Sequence, residues 1–158
     1  MREIKHGFEP VFDEDSKILI LGSFPSLKSR EMGFYYGHPQ NRFWKLLAKL
    51  LDREVPNTLD EKKELLLRNK IALYDAVSTA IIEGSMDRDL EVVKASDLQN
   101  ILYSSNIVKI FCNGNKSYLT VTKEMKLEAV KLPSTSAANA RYSLDDLYEA
   151  WKIILEYL

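Results

Sequence analysis

Lys17-Ile18-Leu19-Ile20-Leu21-Gly22 is a run of four aliphatic side chains entered by a lysine and stopped by a glycine. A short apolar run bounded by a turn signal fits a strand buried on both faces, the condition of a parallel sheet. An acidic stretch, Asp13-Glu14-Asp15, precedes it. Three further segments read the same way: Ile71 to Tyr74 running into Asp75, Ile107 to Cys112 ending at Asn113-Gly114, and Leu127 to Leu132 ending at Pro133. Helical patterns lie between and after them. Asn41 to Leu51 carries Phe43, Trp44, Leu47, Leu50 and Leu51 on one side, with Pro39 near its start. Thr58 and Glu61 form a capping-box pattern for a helix from Leu59 to Asn69. Ser96 is expected to cap a helix to about Ser104, and Lys116 to Lys123 is a further candidate. Ser143 with Asp146 opens a last amphipathic helix through Trp151, Ile154 and Leu158. The stretch 76–95 reads as irregular or as short helices. Strands alternating with helices predict an α/β domain with a mostly parallel, four-stranded sheet.

Composition bounds the rest. At 158 residues and 18.2 kDa the chain fits one domain over 1–158 and can bury a core without staples. Hydrophobic residues at 46% and charged residues at 28% describe a globular chain rather than a disordered one. The net charge of -1 excludes a strongly basic coat protein, but not a DNA enzyme with a local basic rim. A lone cysteine, Cys112, rules out an intramolecular disulfide and cysteine-based zinc sites. His6 and His38 are too far apart in sequence to favour a histidine-rich metal site. No secretory h-region and no bilayer-spanning apolar run are visible, which fits a reducing cytoplasmic location.

In open α/β sheets, ligands bind outside the carboxyl ends of the strands. Here those ends carry Gly22-Ser23-Phe24-Pro25-Ser26, Tyr74-Asp75, Asn113-Gly114-Asn115 and Pro133-Ser134-Thr135-Ser136. All are polar or turn-forming and should converge on one crevice. The stretch from Gly22 to Trp44 adds Tyr35, Tyr36 and His38, then Asn41 in the first turn of a helix. Flat rings beside an amide and a helix N-terminus suit a planar heterocycle or an anionic group. The same pattern also describes a surface loop whose aromatics cover the sheet.

The ordered set of motifs resembles the uracil-DNA glycosylase superfamily, nearest its hypoxanthine-DNA (deoxyinosine) branch and with similarity to the mismatch-specific branch. Gly37-His38-Pro39-Gln40-Asn41-Arg42-Phe43-Trp44 resembles the HPxNxFW element, and Leu132 to Asn139 resembles the second signature of the hypoxanthine branch. Ile71 to Asp75, Glu83 to Asp87, and Ile110 to Gly114 resemble that branch's ALWD, GSLD and FNG elements. The resemblance implies a three-layer α/β/α sandwich. It also implies a monofunctional glycosylase that flips a deaminated base from double-stranded DNA and hydrolyses its N-glycosidic bond. Such a cleavage passes through an oxocarbenium-like sugar, which needs a positioned water more than a strong base. The resemblance assigns catalysis to Asn41, which capping would also explain. It places Tyr36 as an aromatic that stacks on the base, or simply packs. Asp75 and Asn113, at strand ends, become base-binding candidates, with Asp75 also open to a structural cap. Phe24 joins them as part of the base pocket, and His38 either polarises a base carbonyl or orders its own loop. Ser134, Thr135 and Ser136 offer donors to DNA phosphates, or form a turn. Asn139, Ala140 and Arg141 are candidates to fill the gap left by the flipped base. Lys28, Arg30, Lys116 and Arg141 form a basic rim, or a scattered set of solvated charges. No cofactor or metal is expected, and a monomer is, since one damaged nucleotide needs one pocket.

Some positions depart from the superfamily pattern. Phe24 stands where uracil and mismatch enzymes carry a water-activating acid or amide, which argues against a conventional uracil enzyme and agrees with the hypoxanthine branch. Leu132 replaces the histidine or asparagine that opens the second signature in those branches, and Ala137 stands where proline is expected. Other readings meet obstacles. A serine hydrolase lacks the GxSxG elbow and a late histidine. A nucleotide-binding domain lacks GxxxxGK[ST] and GxGxxG. A mismatch-type uracil or thymine glycosylase and a non-catalytic damage-binding module remain as alternatives.

Overall fold

The computed structural model describes residues 2–82 and 90–158. Its strands are β1 (Arg2–Lys5), β2 (Ile18–Gly22), β3 (Ile71–Asp75), β4 (Val77–Ile82), β5 (Leu90–Ala95), β6 (Lys109–Asn113) and β7 (Val130–Leu132). Its helices are α1 (Leu27–Met32), α2 (Phe43–Leu51), α3 (Leu59–Arg68), α4 (Gln99–Ser104), α5 (Asn115–Leu119) and α6 (Leu144–Trp151). A π-helical turn, Thr120–Glu124, extends α5, and a 3-10 stretch, Lys152–Tyr157, extends α6.

The central sheet has the order β3-β2-β6-β7 with every pair parallel. All of β2 is buried, and its side chains alternate between two cores, as the pleat requires. Ile18 and Ile20 join Leu47, Leu66, Leu147 and Trp151 on the face covered by α2, α3 and α6. Leu19 and Leu21 join Leu98, Ile101 and Val121 on the face covered by α4 and the π turn. This is the expected three-layer α/β/α sandwich around a four-stranded parallel sheet. The chain leaves β2 toward β3 on one side and later returns to β6 on the other. The carboxyl end of β2 is therefore the switch point where a crevice must open.

The helix caps at Thr58 and Ser143 form as read: each side chain accepts from the backbone N–H three residues on, Glu61 and Asp146 respectively. Several expectations need correction. The stretch after Ala76 is not irregular: β4 pairs antiparallel with both β1 and β5 in a second, three-stranded sheet. Ser96 caps no helix. Its hydroxyl donates to the Asp75 carbonyl at 2.7 Å, while Asp97 receives the N–H of Gln99. The loop 23–40 contains the short helix α1, capped by Ser26. Asn41 precedes α2 rather than lying in its first turn, and its Oδ1 accepts the Phe43 N–H at 2.9 Å. The strand expected over Leu127 to Leu132 is confined to Val130–Leu132. The Glu83 to Asp87 motif lies outside the described residues.

Candidate active site at the carboxyl ends of the parallel strands

A cavity of about 620 Å³ opens at the switch point, within the size range of small-ligand sites. The ends of β2, β3 and β6 supply its floor as Gly22, Asp75 and Asn113, and the loops 23–41 and 134–138 supply its walls. Gly22 and Asp75 are register partners in adjacent strands. A Cβ at Gly22 would lie 2.4 Å from Asp75 Oδ1 and 2.9 Å from the Tyr36 hydroxyl. Only glycine leaves room for both polar groups to approach the same point.

Asn41 belongs to a chain of buried polar contacts. The Asn113 amide donates to Thr135 Oγ1 at 3.0 Å, and the Thr135 N–H returns to Asn113 Oδ1 at 3.0 Å. The Thr135 hydroxyl then donates to Asn41 Oδ1 at 2.9 Å. With the Phe43 N–H on the same oxygen, Asn41 Oδ1 accepts two donors. The network thus orients the amide and leaves its Nδ2 as the group available to the cavity. Asn113 uses one N–H and one lone pair of Oδ1 on Thr135, which leaves a second N–H and a second lone pair on its amide.

Arg42, the next residue, was not singled out from sequence. Its guanidinium donates to the carbonyls of Thr135 at 3.3 Å, Ser136 at 2.8 Å, Asn139 at 3.2 Å and Tyr142, and its backbone N–H to Thr135 at 3.1 Å. The second loop is therefore folded around a side chain of the first. Both loops are also pinned by indoles: Trp44 Nε1 donates to the Tyr35 carbonyl at 3.0 Å and Trp151 Nε1 to the Pro133 carbonyl at 2.9 Å. Fixed donors from packed helices hold an otherwise polar loop to one shape.

His6 is the second residue that sequence reasoning missed. It follows β1, and its Nε2 lies 2.8 Å from Asp75 Oδ2, with side chains 2% and 5% exposed respectively. Its ring sits among Phe8, Phe24, Tyr35 and Tyr74. The Phe8 N–H points at Nδ1 from 3.4 Å, which makes Nε2 the donor to Asp75. Burial pushes the Asp75 carboxyl above its usual range, and the His6 contact opposes that shift. Burial, with Asp75 adding, also holds the Tyr36 phenol far above its ordinary pKa, so the phenol keeps its proton. The Asn113 amide pulls the other way from nearby without completing a hydrogen bond; the Tyr36 hydroxyl is buried and unpartnered among the described residues.

The remaining expected residues fall into two groups. Phe24, Tyr36, His38, Ser134, Thr135 and Ser136 line the cavity with Asn41. One face of Tyr36 is covered by Phe43, with centroids 4.2 Å apart. His38 is exposed, and its Nδ1 accepts the Gln40 N–H at 3.1 Å, so the imidazole orders its own loop. Ser134 and Ser136 hydroxyls accept backbone N–H groups two residues on, as turn residues do. Asn139 and Arg141 line an adjoining, more open depression beyond the 134–138 ridge. Lys116 is the second residue of α5 and lines neither. Lys28 lies 3.9 Å from Glu31, and Arg30 stands 5.8 Å over the Phe24 ring. Among the described residues there is no cluster of three or more His, Cys, Asp or Glu suited to a metal ion.

The site agrees with a match to known proteins over almost the whole chain. The model of the uracil DNA glycosylase superfamily matches residues 9–157. This chain belongs to that superfamily. Hypoxanthine DNA glycosylase of Methanosarcina barkeri (strain Fusaro) is 37% identical over 153 residues, covering 93% of this chain and 95% of the relative. Hypoxanthine DNA glycosylase of Methanosarcina acetivorans is 34% identical over 158 residues, covering 98% and 99%. A solution NMR structure from Methanosarcina acetivorans, described provisionally as a uracil DNA glycosylase, aligns with TM-score 0.77 at 31% identity, covering 96% of this chain and 98% of that one. In this chain Asn41, Asp75 and Asn113 line one cavity at the carboxyl ends of the parallel strands.

Proposed function

We propose that this protein is a monofunctional DNA glycosylase that removes hypoxanthine from deaminated DNA. The observation that carries the reading is the Asn113–Thr135–Asn41 network, which aims one amide N–H group into a cavity that has Phe24, not an acid, at the usual water-activating position. The names of the Methanosarcina relatives support hypoxanthine as the base.

The chemistry asks little of the protein in acid or base strength. The C1′–N9 bond breaks with its electron pair leaving on the base, and the sugar becomes oxocarbenium-like. Asn41 Nδ2 donates to one lone pair of the attacking water and holds it, leaving the other lone pair for C1′. The water sheds its proton after the C–O bond forms, and the base takes up a proton in solution. Phe24 covers the flipped base, with Asp75, Asn113 and the Tyr36 hydroxyl at its edge. Ser134, Thr135, Ser136 and Asn139 present the second loop to the DNA backbone, and Arg141 and Lys116 add positive charge for phosphates. No helix of the described residues is long and apolar enough to cross a membrane. The enzyme works as a monomer, without a cofactor, in the cytoplasm where its DNA substrate is found.

The test is alkaline strand cleavage of end-labelled duplexes carrying deoxyinosine, deoxyuridine, deoxyxanthosine or a G·T mismatch. The expected result is cleavage at deoxyinosine, reduced about a hundredfold to a thousandfold in Asn41→Ala, the loss typical of one positioned transition-state donor. Cleavage mainly at uracil or G·T keeps the superfamily and overturns the choice of base. Binding without cleavage of any substrate makes the protein a damage-binding module.

A further inference from the structure

The reaction described above assigns no hydrogen bond to three groups: a buried histidine, the carboxylate oxygen it does not touch, and a buried phenol with no partner among the described residues. They lie together. His6 holds Asp75 by Oδ2 at 2.8 Å. Asp75 Oδ1 has no hydrogen bond among the described residues, and it faces the space beside Gly22, where the Tyr36 hydroxyl also points. A buried polar atom left unpaired costs about 1–3 kcal/mol, so such an atom in a native structure asks for an explanation. Here it sits in the wall of a ligand cavity, next to a fixed acceptor.

Resting on the hypoxanthine reading, we propose that His6 is a positioning residue that fixes Asp75 as an acceptor beside the Tyr36 donor, and that this pair selects the lactam edge of the base. Hypoxanthine presents N1–H, a donor, next to O6, an acceptor. Asp75 Oδ1 accepts a hydrogen bond from N1–H, and the Tyr36 hydroxyl donates one to O6. Adenine presents the opposite order, an acceptor at N1 and a donor at the 6-amino group. Against this wall it would set acceptor on acceptor at Asp75 Oδ1 and offer the Tyr36 proton no acceptor at the 6-position. A site built to hydrogen-bond a substrate group rejects analogues without it far more strongly than an apolar pocket rejects a change in shape. His6 makes the acceptor dependable. Its Nε2–H satisfies one carboxylate oxygen and prevents rotation, and the four aromatic rings around it prevent the imidazole from following the ligand. The device couples the small antiparallel sheet to the cavity, since His6 follows β1 and its N–H donates to the carbonyl of Ser78 in β4 at 2.7 Å.

The experiment compares single-turnover excision of deoxyinosine with that of deoxynebularine, which has the purine shape but neither N1–H nor O6. It is run on the wild type, Tyr36→Phe, Asp75→Ala, His6→Phe and His6→Gln, with melting temperatures to establish folding. The wild type is expected to favour deoxyinosine strongly. The ratio of the two rates falls by about tenfold or more in Tyr36→Phe, Asp75→Ala and His6→Phe, through loss on deoxyinosine. His6→Gln, whose amide also donates to Asp75, keeps the ratio within about threefold of wild type. Tyr36→Phe keeps the ring stacked on Phe43, so it remains informative even where a His6 or Asp75 variant does not fold. A ratio unchanged in Tyr36→Phe overturns the inference while leaving the glycosylase reading intact. A failure of the wild type to excise deoxyinosine overturns both.

Discussion

Thr135 is fully buried and stands between two amides, and its hydroxyl is the middle link from Asn113 to Asn41. Thr135→Val keeps the shape and removes the link. Its excision rate is expected to fall by up to about a hundredfold, the scale set by a misplaced reacting group, while binding to damaged duplex changes little. Single-turnover kinetics beside a binding titration measure both, and equal rates in wild type and variant would show that Asn41 does not depend on the link. Cys112 makes a second, simpler prediction. Burial pushes its thiol up to about 11 against a smaller opposing contact from Ser117, so it should resist alkylation until the protein unfolds. Mass spectrometry of iodoacetamide-treated protein checks this, and rapid labelling under native conditions would contradict it. Asn41, Asp75 and Asn113 were legible in the sequence because each sits at a strand end or in a short motif. His6 and Arg42 were not, because their partners lie 69 and about a hundred residues away, and a lone His or Arg carries no local periodic signal.

Among the elements, the second loop is held chiefly by Arg42. Arg42→Ala should leave the α/β/α layers formed and speed amide hydrogen exchange over residues 134–142. Excision should fall with it, because Thr135 belongs to that segment. Exchange confined to its wild-type rate would mean the loop holds itself. Helix α6 gives a pH-dependent counterpart. The Ser143 backbone N–H and hydroxyl hold the Asp146 carboxyl below its usual range. A folded-state pKa below the unfolded one stabilises above the ordinary carboxylate range, and that gain is lost as pH falls through the folded value. The melting temperature of Asp146→Asn should therefore lie below wild type at neutral pH and converge with it in acid; a constant gap across pH would remove the carboxylate from the explanation. The parallel strands were readable because both faces are buried and the runs are continuous. The antiparallel sheet was hidden because β1 spans only Arg2–Lys5, with Ile4 as its one apolar residue among three charged ones, and its partner β4 lies more than seventy positions on.

For the whole molecule, one sheet divides two cores, and each strand of β2 type feeds both. A cavity on either side should weaken the same cooperative unit. Leu47→Ala on one face and Leu21→Ala on the other, both buried, are each expected to cost about 2–5 kcal/mol. Urea unfolding followed by circular dichroism should show one transition shifted in each variant. Two separated transitions would show that the faces unfold independently. The fold class was visible at this scale because layer architecture follows from which runs are apolar and in what order. The cavity's selectivity was not, since it depends on ångström-scale meetings between residues from four separate segments.

The chain has two tryptophans, and each indole N–H is bonded to a carbonyl in or next to one of the two loops that enclose the cavity. Indole emission shifts in colour and intensity with the strength of that bond and the wetness around the ring. The protein thus carries its own optical gauge on both jaws of the pocket. A stopped-flow trace on unlabelled DNA would follow base capture in real time, and Trp44→Phe and Trp151→Phe would assign each phase to one jaw.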